Sequence, residues 1–393
     1  MSQKLNFVLF LVTSIFYAQP DTEVYLFNVN STKKGISLEL VSNISNNPGY
    51  DNQPYFYNDN IIIYAATQGD QTEIAKYNLR DKKTTVLSQT PNGSEYSPTK
   101  IPEQKAVSAI RLGKDGTQLL YKYDFTSGKS DVLIDSLKVG YHSWYTKDIV
   151  ICAVLVEDRM DLYSYNIKRK SKRLLDKNVG RSIHKIPNSS LISYISKENK
   201  LWEIRNINPI SGERSKIINT ITNNEDMCWL NNGTILLPVK NRIYYFNPQQ
   251  DTTWNILTTF KEDNLHSITR ITTNEIGNLL ALVSETSPEK VVQQQLDAYN
   301  NRDIEAFAAA FSEDVEVYNF PNQLQLKGRD KLKNAYDEFF KNTPNLHCIL
   351  QNRIVHDNKV IDEELVTIND TEISAVAIYE VTNGKISKVT FIR

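Results

Sequence analysis

The feature that most constrains this chain is a hairpin that it rewrites six times. The copies are "VYLFNVNSTKKGISLELV" at 24–41, "IAKYNLRDKKTTVL" at 74–87, "LLYKYDFTSGKSDVL" at 119–133, "LYSYNIKRKSKRLL" at 162–175, "LWEIRNINPISGERSKII" at 201–218 and "IYYFNPQQDTTWNIL" at 243–257. Each reads as an aromatic-polar strand, a polar turn and a second strand. Anchored on Asn28, Asn78, Asp124, Asn166, Asn206 and Asn247, successive copies lie 50, 46, 42, 40 and 41 residues apart. That is the period of four-stranded propeller blades, units that bury their faces only against their neighbours.

From the second copy onward, two further strand-like runs precede each hairpin, as in "QPYFYNDNIIIYAAT", "GYHSWYTKDIVICAVL" and "EDMCWLNNGTILLPV". The first copy has no such preamble, and the last is followed by one, "HSITRITTNEIGNLLALVSE" at 266–285. Joining these final two strands to the first two makes one shared blade, which closes a ring of six and removes the open sheet edges. The blade text "NQPYFYNDNIIIYAATQGDQTEIAKYNL" resembles the TolB-like family of six-bladed propellers, common in secreted and periplasmic bacterial proteins, and the resemblance covers about residues 22–285.

After Ser284 the rhythm changes. "SPEKVVQQQLDAYNN" places Val292, Leu296 and Tyr299 on one helix face, with Pro288 suited to the first helical position and Asn300-Asn301 breaking the helix. Ile304, Phe307, Ala308 and Phe311 mark a second helix, and Leu332, Ala335, Tyr336, Phe339 and Phe340 a third with a core-facing stripe. Four strand-like segments follow, at 346–355, 359–368, 373–381 and 386–392. Helices followed by an antiparallel meander give an α+β unit in which a sheet curls around helices. "AYNNRDIEAFAAAFSEDVEVYNFP", "LKGRDKLKNAYDEFF" and "AIYEVTNGKISKVTFIR" resemble the SnoaL-like branch of the nuclear transport factor two superfamily, a cone-shaped fold, over 288–393. The expected chain is therefore two-domain, an all-β six-bladed propeller at 19–285 followed by an α+β cone-shaped domain at 286–393 with three helices and a curved antiparallel sheet.

The opening "MSQKLNFVLFLVTSIFYAQPD" carries Lys4, an apolar run from Phe7 and a small Ala18, the pattern of a signal peptide at 1–18, too short to span a membrane. It predicts a periplasmic or secreted protein cleaved after Ala18. Cys152, Cys228 and Cys348, three widely spaced thiols in apolar strands, give neither a disulfide framework nor a metal knuckle. Residues 288–393 hold 12 Lys+Arg against 17 Asp+Glu, and the propeller segment 32 against 29, so neither half offers the basic stripe that nucleic acid requires. The basic run "NIKRKSKRLL" reads as a solvated hairpin crest. No phosphate loop or nucleophile elbow occurs; His142, His184 and His266 fall in different blades, and Trp144, Trp202, Trp229 and Trp254 read as packing between blades. No cofactor or metal is expected.

The cone-fold resemblance implies a pocket between sheet and helices. In the steroid-isomerase branch that pocket holds a carboxylate base and two enolate-stabilising donors; here the corresponding positions are Asn319, Gln295 and Ala377. Asparagine cannot accept the proton, so that chemistry loses its base. Alignment with the family makes Tyr318, Asn319, Phe320, Tyr379 and Arg393 pocket candidates. Two-residue alternation puts His347, Gln351 and Arg353 on one face of the 346–355 strand, and Asp362 with Glu364 on one face of the next, with Glu363 opposite. His347 with Glu364 or Asp362 could form an acid–base pair, and Arg353 or Arg393 could hold an anion. The reading that follows is a non-catalytic binding protein: the propeller is a protein or glycan platform and the cone domain a small-molecule pocket. One alternative is an isomerase, dehydratase or hydrolase using His347 with Glu364 or Asp362; another is a cone domain that serves as a homodimerisation unit.

Overall fold

The computed structural model describes residues 20–32, 35–47, 49–261, 265 and 267–392. The proposed signal segment, His266 and Arg393 lie outside the described residues. The described strands form six four-stranded antiparallel sheets and one six-stranded sheet. Five of the four-stranded sheets are contiguous in sequence. The sixth is shared: Thr22–Thr32 pairs antiparallel with Leu279–Glu285, from Thr22 opposite Glu285 to Asn28 opposite Leu279, and carries Gly35–Asn43 on its outer side, while Ile268–Thr273 lies innermost. The ring is closed by backbone pairing between its two ends, as the missing preamble of the first repeat required.

The apolar alternation explains where the cores sit. Each neighbouring pair of sheets encloses one buried cluster. Leu26 packs with Phe56 and Ile62, Ile63 with Val107, Ile110 with Val150, Ile151 with Ile192, Ile195 with Leu237, and Leu236 with Phe27 and Leu280. Six such clusters complete the circuit. Cys152 and Cys228 are buried, unpaired members of two of them. Three indoles tie blades together: Nε1 of Trp144 donates to Ser108 Oγ at 2.9 Å, Nε1 of Trp229 to Ser193 Oγ at 2.8 Å, and Nε1 of Trp254 to the Asn219 carbonyl at 2.8 Å, each reaching the preceding blade. His142 lies in the same kind of seam, its Nε2 at 2.7 Å from Ser108 Oγ, and burial pushes its pKa down to about 3.

The repeated Asn or Asp works as a turn cap. Its side-chain oxygen accepts a backbone N–H two or three residues ahead, at Asn78, Asp124, Asn166 and Asn247. In the fifth repeat the cap is Asn208, which accepts from Ile210 N at 2.9 Å, whereas Asn206 accepts from Ser215 across the strand pair. The anchor expected at Asn206 therefore shifts by two residues, which keeps its parity along the strand and leaves the repeat visible. A buried acid at the head of the same strand is a second device. Glu23 accepts from Ser45 Oγ and Glu73 from Ser88 Oγ, both at 2.6 Å, while the two serines accept the backbone N–H of Val24 and Ile74.

Beyond Glu285 the chain enters α1 (Pro288–Asn301), with Pro288 in its first turn. The helix ends where Arg302 adopts a left-handed conformation, so the break expected at Asn300-Asn301 falls just after that pair. Asp303 caps α2 (Ile304–Ala309) by accepting from Ala306 N at 3.0 Å, and α3 spans Arg329–Asn342. Phe311, expected on the second helix, instead begins a strand. The sheet runs Gln323–Lys327, Phe311–Asn319, Lys385–Ile392, Thr371–Thr382, Lys359–Ile368, Leu346–His356 in spatial order. Its one departure from the antiparallel pattern is Phe311–Asn319 beside Lys385–Ile392, which pair parallel. Phe307, Phe311, Leu332, Phe340, Val360, Ala377 and Ile386 form the core between sheet and helices. The two units meet at the head of the closing strand. Thr286 N donates to the Asp21 carbonyl at 3.0 Å, Lys290 pairs with the buried Glu23 at 3.3 Å, and Gly384 sits so close that a Cβ there would overlap the Asp21 side chain.

Phe27 is 1 % exposed and joins the last inter-blade core to the closing strand. Phe27→Ala is expected to cost about 3–5 kcal/mol, read from denaturant unfolding of the propeller. A loss below about 1 kcal/mol would mean that closure does not depend on this core.

Candidate functional site

The six-stranded sheet curls over α1 and α3 and leaves a cavity of about 340 Å³ between them. α1 contributes Gln295, Leu296 and Tyr299; α3 contributes Ala335, Tyr336 and Phe339; the sheet contributes Cys348, Glu364, Val366, Ile368, Ile373, Ala375, Tyr379 and Phe391. The wall is mainly aromatic and aliphatic. Its polar side chains include Glu364, Tyr379 and Gln295, together with the hydroxyls of Tyr299 and Tyr336 and the Cys348 thiol.

Glu364 and Tyr379 come from neighbouring strands, and the Tyr379 hydroxyl donates to Glu364 Oε1 at 2.9 Å. Glu364 is 6 % exposed, and removal from water pushes its pKa up to about 7; nearby Asp362 adds to the rise, while the Tyr379 hydrogen bond and Arg353 oppose it. Burial and the adjacent carboxylates hold Tyr379 well above its ordinary value, so it remains a hydroxyl donor. Burial likewise pushes the Cys348 thiol up to about 12 and keeps it protonated. Gln295 is 6 % exposed and its Oε1 has no hydrogen-bond partner among the described residues. A buried acceptor without a partner costs free energy, which a donor entering the cavity would recover.

Asp362 and Arg353 form a separate unit behind this site. Arg353 Nε and Nη2 meet the two Asp362 oxygens at 2.7 and 2.6 Å, and Nη1 donates to Gln293 Oε1 at 2.8 Å. The side chains are 8 % and 1 % exposed. Burial alone would lower the arginine pKa, but contact with Asp362 more than offsets this and raises it. The guanidinium is thus committed to an internal carboxylate rather than offered to a ligand anion.

The remaining expectations are corrected by backbone geometry. A β-bulge between Leu350 and Asn352 reverses the alternation of the 346–356 strand. Before it, Leu346 and Cys348 face inward and His347 is exposed; after it, Arg353 turns inward. His347 and Arg353 therefore do not share a face, and His347 does not meet Glu364 or Asp362 in the cavity. Tyr318 lies on the outer face, donating to Glu316 Oε2 at 2.7 Å beneath Lys388. Phe320 is 62 % exposed past the strand end, and Asn319 does not line the cavity. Ala377 is fully buried in the core, paired across the sheet with Asp362. Of the candidates named from sequence, Glu364 and Tyr379 line the cavity, joined by Gln295. The aromatic wall from α3 is visible in the sequence as a helical stripe but reads there as core; only the concave sheet holds Ala335, Tyr336 and Phe339 away from full packing.

Residues 292–389 match the model of the SnoaL-like domain family. A solved structure described as putative TolB from Agrobacterium tumefaciens matches 68% of this chain and 98% of its own at 13% identity, with a TM-score of 0.51. An uncharacterized cystatin-fold protein of Novosphingobium aromaticivorans matches 27% of this chain and 97% of its own at 21% identity, with a TM-score of 0.26. An LEH-like epoxide hydrolase of M. tuberculosis matches 27% and 80% at 15% identity, with a TM-score of 0.24. No curated protein matches the chain. The first unit therefore shares the propeller fold of the TolB structure, and residues 292–389 of the second unit match a SnoaL-like domain. Among the described residues, no helix is long and apolar enough to cross a membrane, and no group of three or more His, Cys, Asp or Glu is placed to hold a metal ion.

Because the folded state holds the Glu364 proton more tightly than the unfolded chain, stability falls as pH rises from about 4.5, the ordinary carboxyl value, to about 7. Its contribution is complete below that window and lost above it. Glu364→Gln should remove up to about 3 kcal/mol of this pH-dependent loss, measured as the wild-type minus variant difference in unfolding free energy at about pH 4.5 and about pH 8. Identical pH profiles would show that Glu364 titrates normally. Arg353→Met, which strands Asp362 as an unpaired buried charge, is expected to cost about 3–5 kcal/mol in the same measurement.

Proposed function

We propose that this is a secreted or periplasmic bacterial binding protein, with a signal peptide at 1–18, a propeller at 19–285 that serves as a protein or glycan platform, and a cone domain at 286–393 that holds a small, largely apolar molecule. The observation that carries the pocket reading is a mainly apolar cavity lined by the hydrogen-bonded Glu364 and Tyr379 and by Gln295, whose Oε1 has no partner among the described residues. Pockets of this kind gain affinity from apolar burial and orientation from a few fixed polar groups.

Three observations support binding over turnover. The isomerase positions carry Gln295, Asn319 and Ala377, and Asp362 is neutralised by Arg353. The pair with His347 is also not assembled, which leaves Glu364 as the one carboxyl among the described residues that lines the ligand space. When neutral it can donate to a ligand carbonyl; when ionised it can accept from a hydroxyl or an N–H.

The test is a ligand titration of the mature full chain with small apolar amides, alcohols and ketones. A ligand at about one hundred times its Kd should stabilise the cone domain by about 2.7 kcal/mol. Ala335→Trp, which closes the mouth from an exposed helix position, should abolish the effect without unfolding the domain. If no compound stabilises the wild type, or if Ala335→Trp responds equally, the pocket reading fails. Turnover of lactones, enones or epoxides that Glu364→Gln abolishes would replace it with an enzymatic one.

A further inference from the structure

The propeller has a second, larger cavity. The six innermost strands, which all have one edge unpaired within their sheets, surround a funnel of about 1330 Å³. Its rim is formed by the turns that follow these strands, with Asp59, Glu103, Asp148 and Glu275 against Lys100, Lys147 and Lys185. Its floor is formed at the opposite ends of the strands, where Arg181, Asp226 and Arg270 meet beside Tyr141. The lining charges balance overall but are segregated: the rim carries one excess negative charge and the floor one excess positive charge.

The floor cluster binds three successive sheets. Arg181 Nε and Nη2 contact the two Asp226 oxygens at 2.8 and 2.5 Å, and Arg270 Nη1 contacts Asp226 Oδ1 at 3.1 Å and the Thr269 carbonyl at 2.6 Å. Behind them Glu225 pairs with Lys197 at 2.8 Å, lies 3.6 Å from Arg181 Nε and accepts the Arg181 backbone N–H at 3.1 Å, so the floor with this pair included still carries one excess positive charge. Arg181 alone satisfies Asp226 in two-point contact, so the staple does not account for the second guanidinium. Arg270 is 17 % exposed, and its Nε and Nη2, with Nη1 of Arg181, make no hydrogen bond among the described residues. A largely buried cation with a free planar edge at the end of an open funnel is an oxyanion receptor.

We propose that the funnel floor is a binding site for a small monocarboxylate, held by the free guanidinium edges of Arg270 and Arg181. The charge count selects the ligand class. One negative charge neutralises the floor, a phosphate dianion would leave an uncompensated charge beside Asp226, and the acidic rim opposes entry of polyanions. This site is independent of the cone-domain pocket.

The experiment is calorimetric titration of the mature full chain with benzoate, its neutral isostere benzamide, and inorganic phosphate. Benzoate is expected to bind at least about tenfold more tightly than benzamide or phosphate, with affinity falling as salt rises. Arg270→Lys keeps the charge but loses the two-point edge and should weaken benzoate at least about tenfold; Arg270→Gln should abolish binding. Equal binding of benzoate and benzamide, preference for phosphate, or no benzoate binding up to about 10 mM would overturn the assignment. The wild-type comparison decides the matter even if a variant fails to fold.

Discussion

The structure depends on one backbone ladder, the antiparallel pairing of Thr22–Asn28 with Leu279–Glu285. Without it the first hairpin would be a two-stranded fragment, the last two strands would end in an open edge, and two of the six inter-blade cores would lose a wall. The ladder joins residues more than 250 positions apart, so its entropic cost is met only when the intervening blades have already stacked. It also fixes the second unit, because the strand that closes the ring runs directly into α1 and the head of its partner carries Asp21 and Glu23 to the joint.

The two cavities use different physics. In the cone domain, burial is the main agent: it raises Glu364, keeps Tyr379 and Cys348 protonated, and leaves Gln295 Oε1 without a partner among the described residues. Where charge occurs there, as in Arg353 and Asp362, it is closed on itself. In the propeller funnel, charge is present but unevenly shared, with two arginines on one aspartate at the floor. His142 and His184 contribute no charge to either role, since burial pushes them down to about 3 and about 4.

Much of the fold was legible because repetition and periodicity are local properties of a chain. The hairpin text, the missing first preamble and the extra last one imply the shared blade, and the switch to helical spacing after Ser284 marks the second unit. The candidate site was legible only in part. Glu364 was singled out because its strand alternates regularly and Tyr379 by alignment with the family, whereas His347 was misplaced because one extra residue near Gln351 reverses the face of everything before it relative to everything after it. Tyr318 and Phe320 were carried by alignment into a pocket that their strand does not reach. The funnel floor left no sequence signal at all, because Arg181, Asp226 and Arg270 belong to three different repeats.

By itself the sequence determined the number of blades, the way the ring closes, and the three helices and last four strands of the second unit, since each follows from which side chains recur at two-residue or 3.6-residue spacing. Only the tertiary structure decided which polar groups meet. Convergence of Gln295 with Glu364, or of Arg181 with Arg270, depends on sheet curvature, a single bulge and the radial arrangement of blades, and these place residues far apart in the chain within hydrogen-bonding reach or around one cavity.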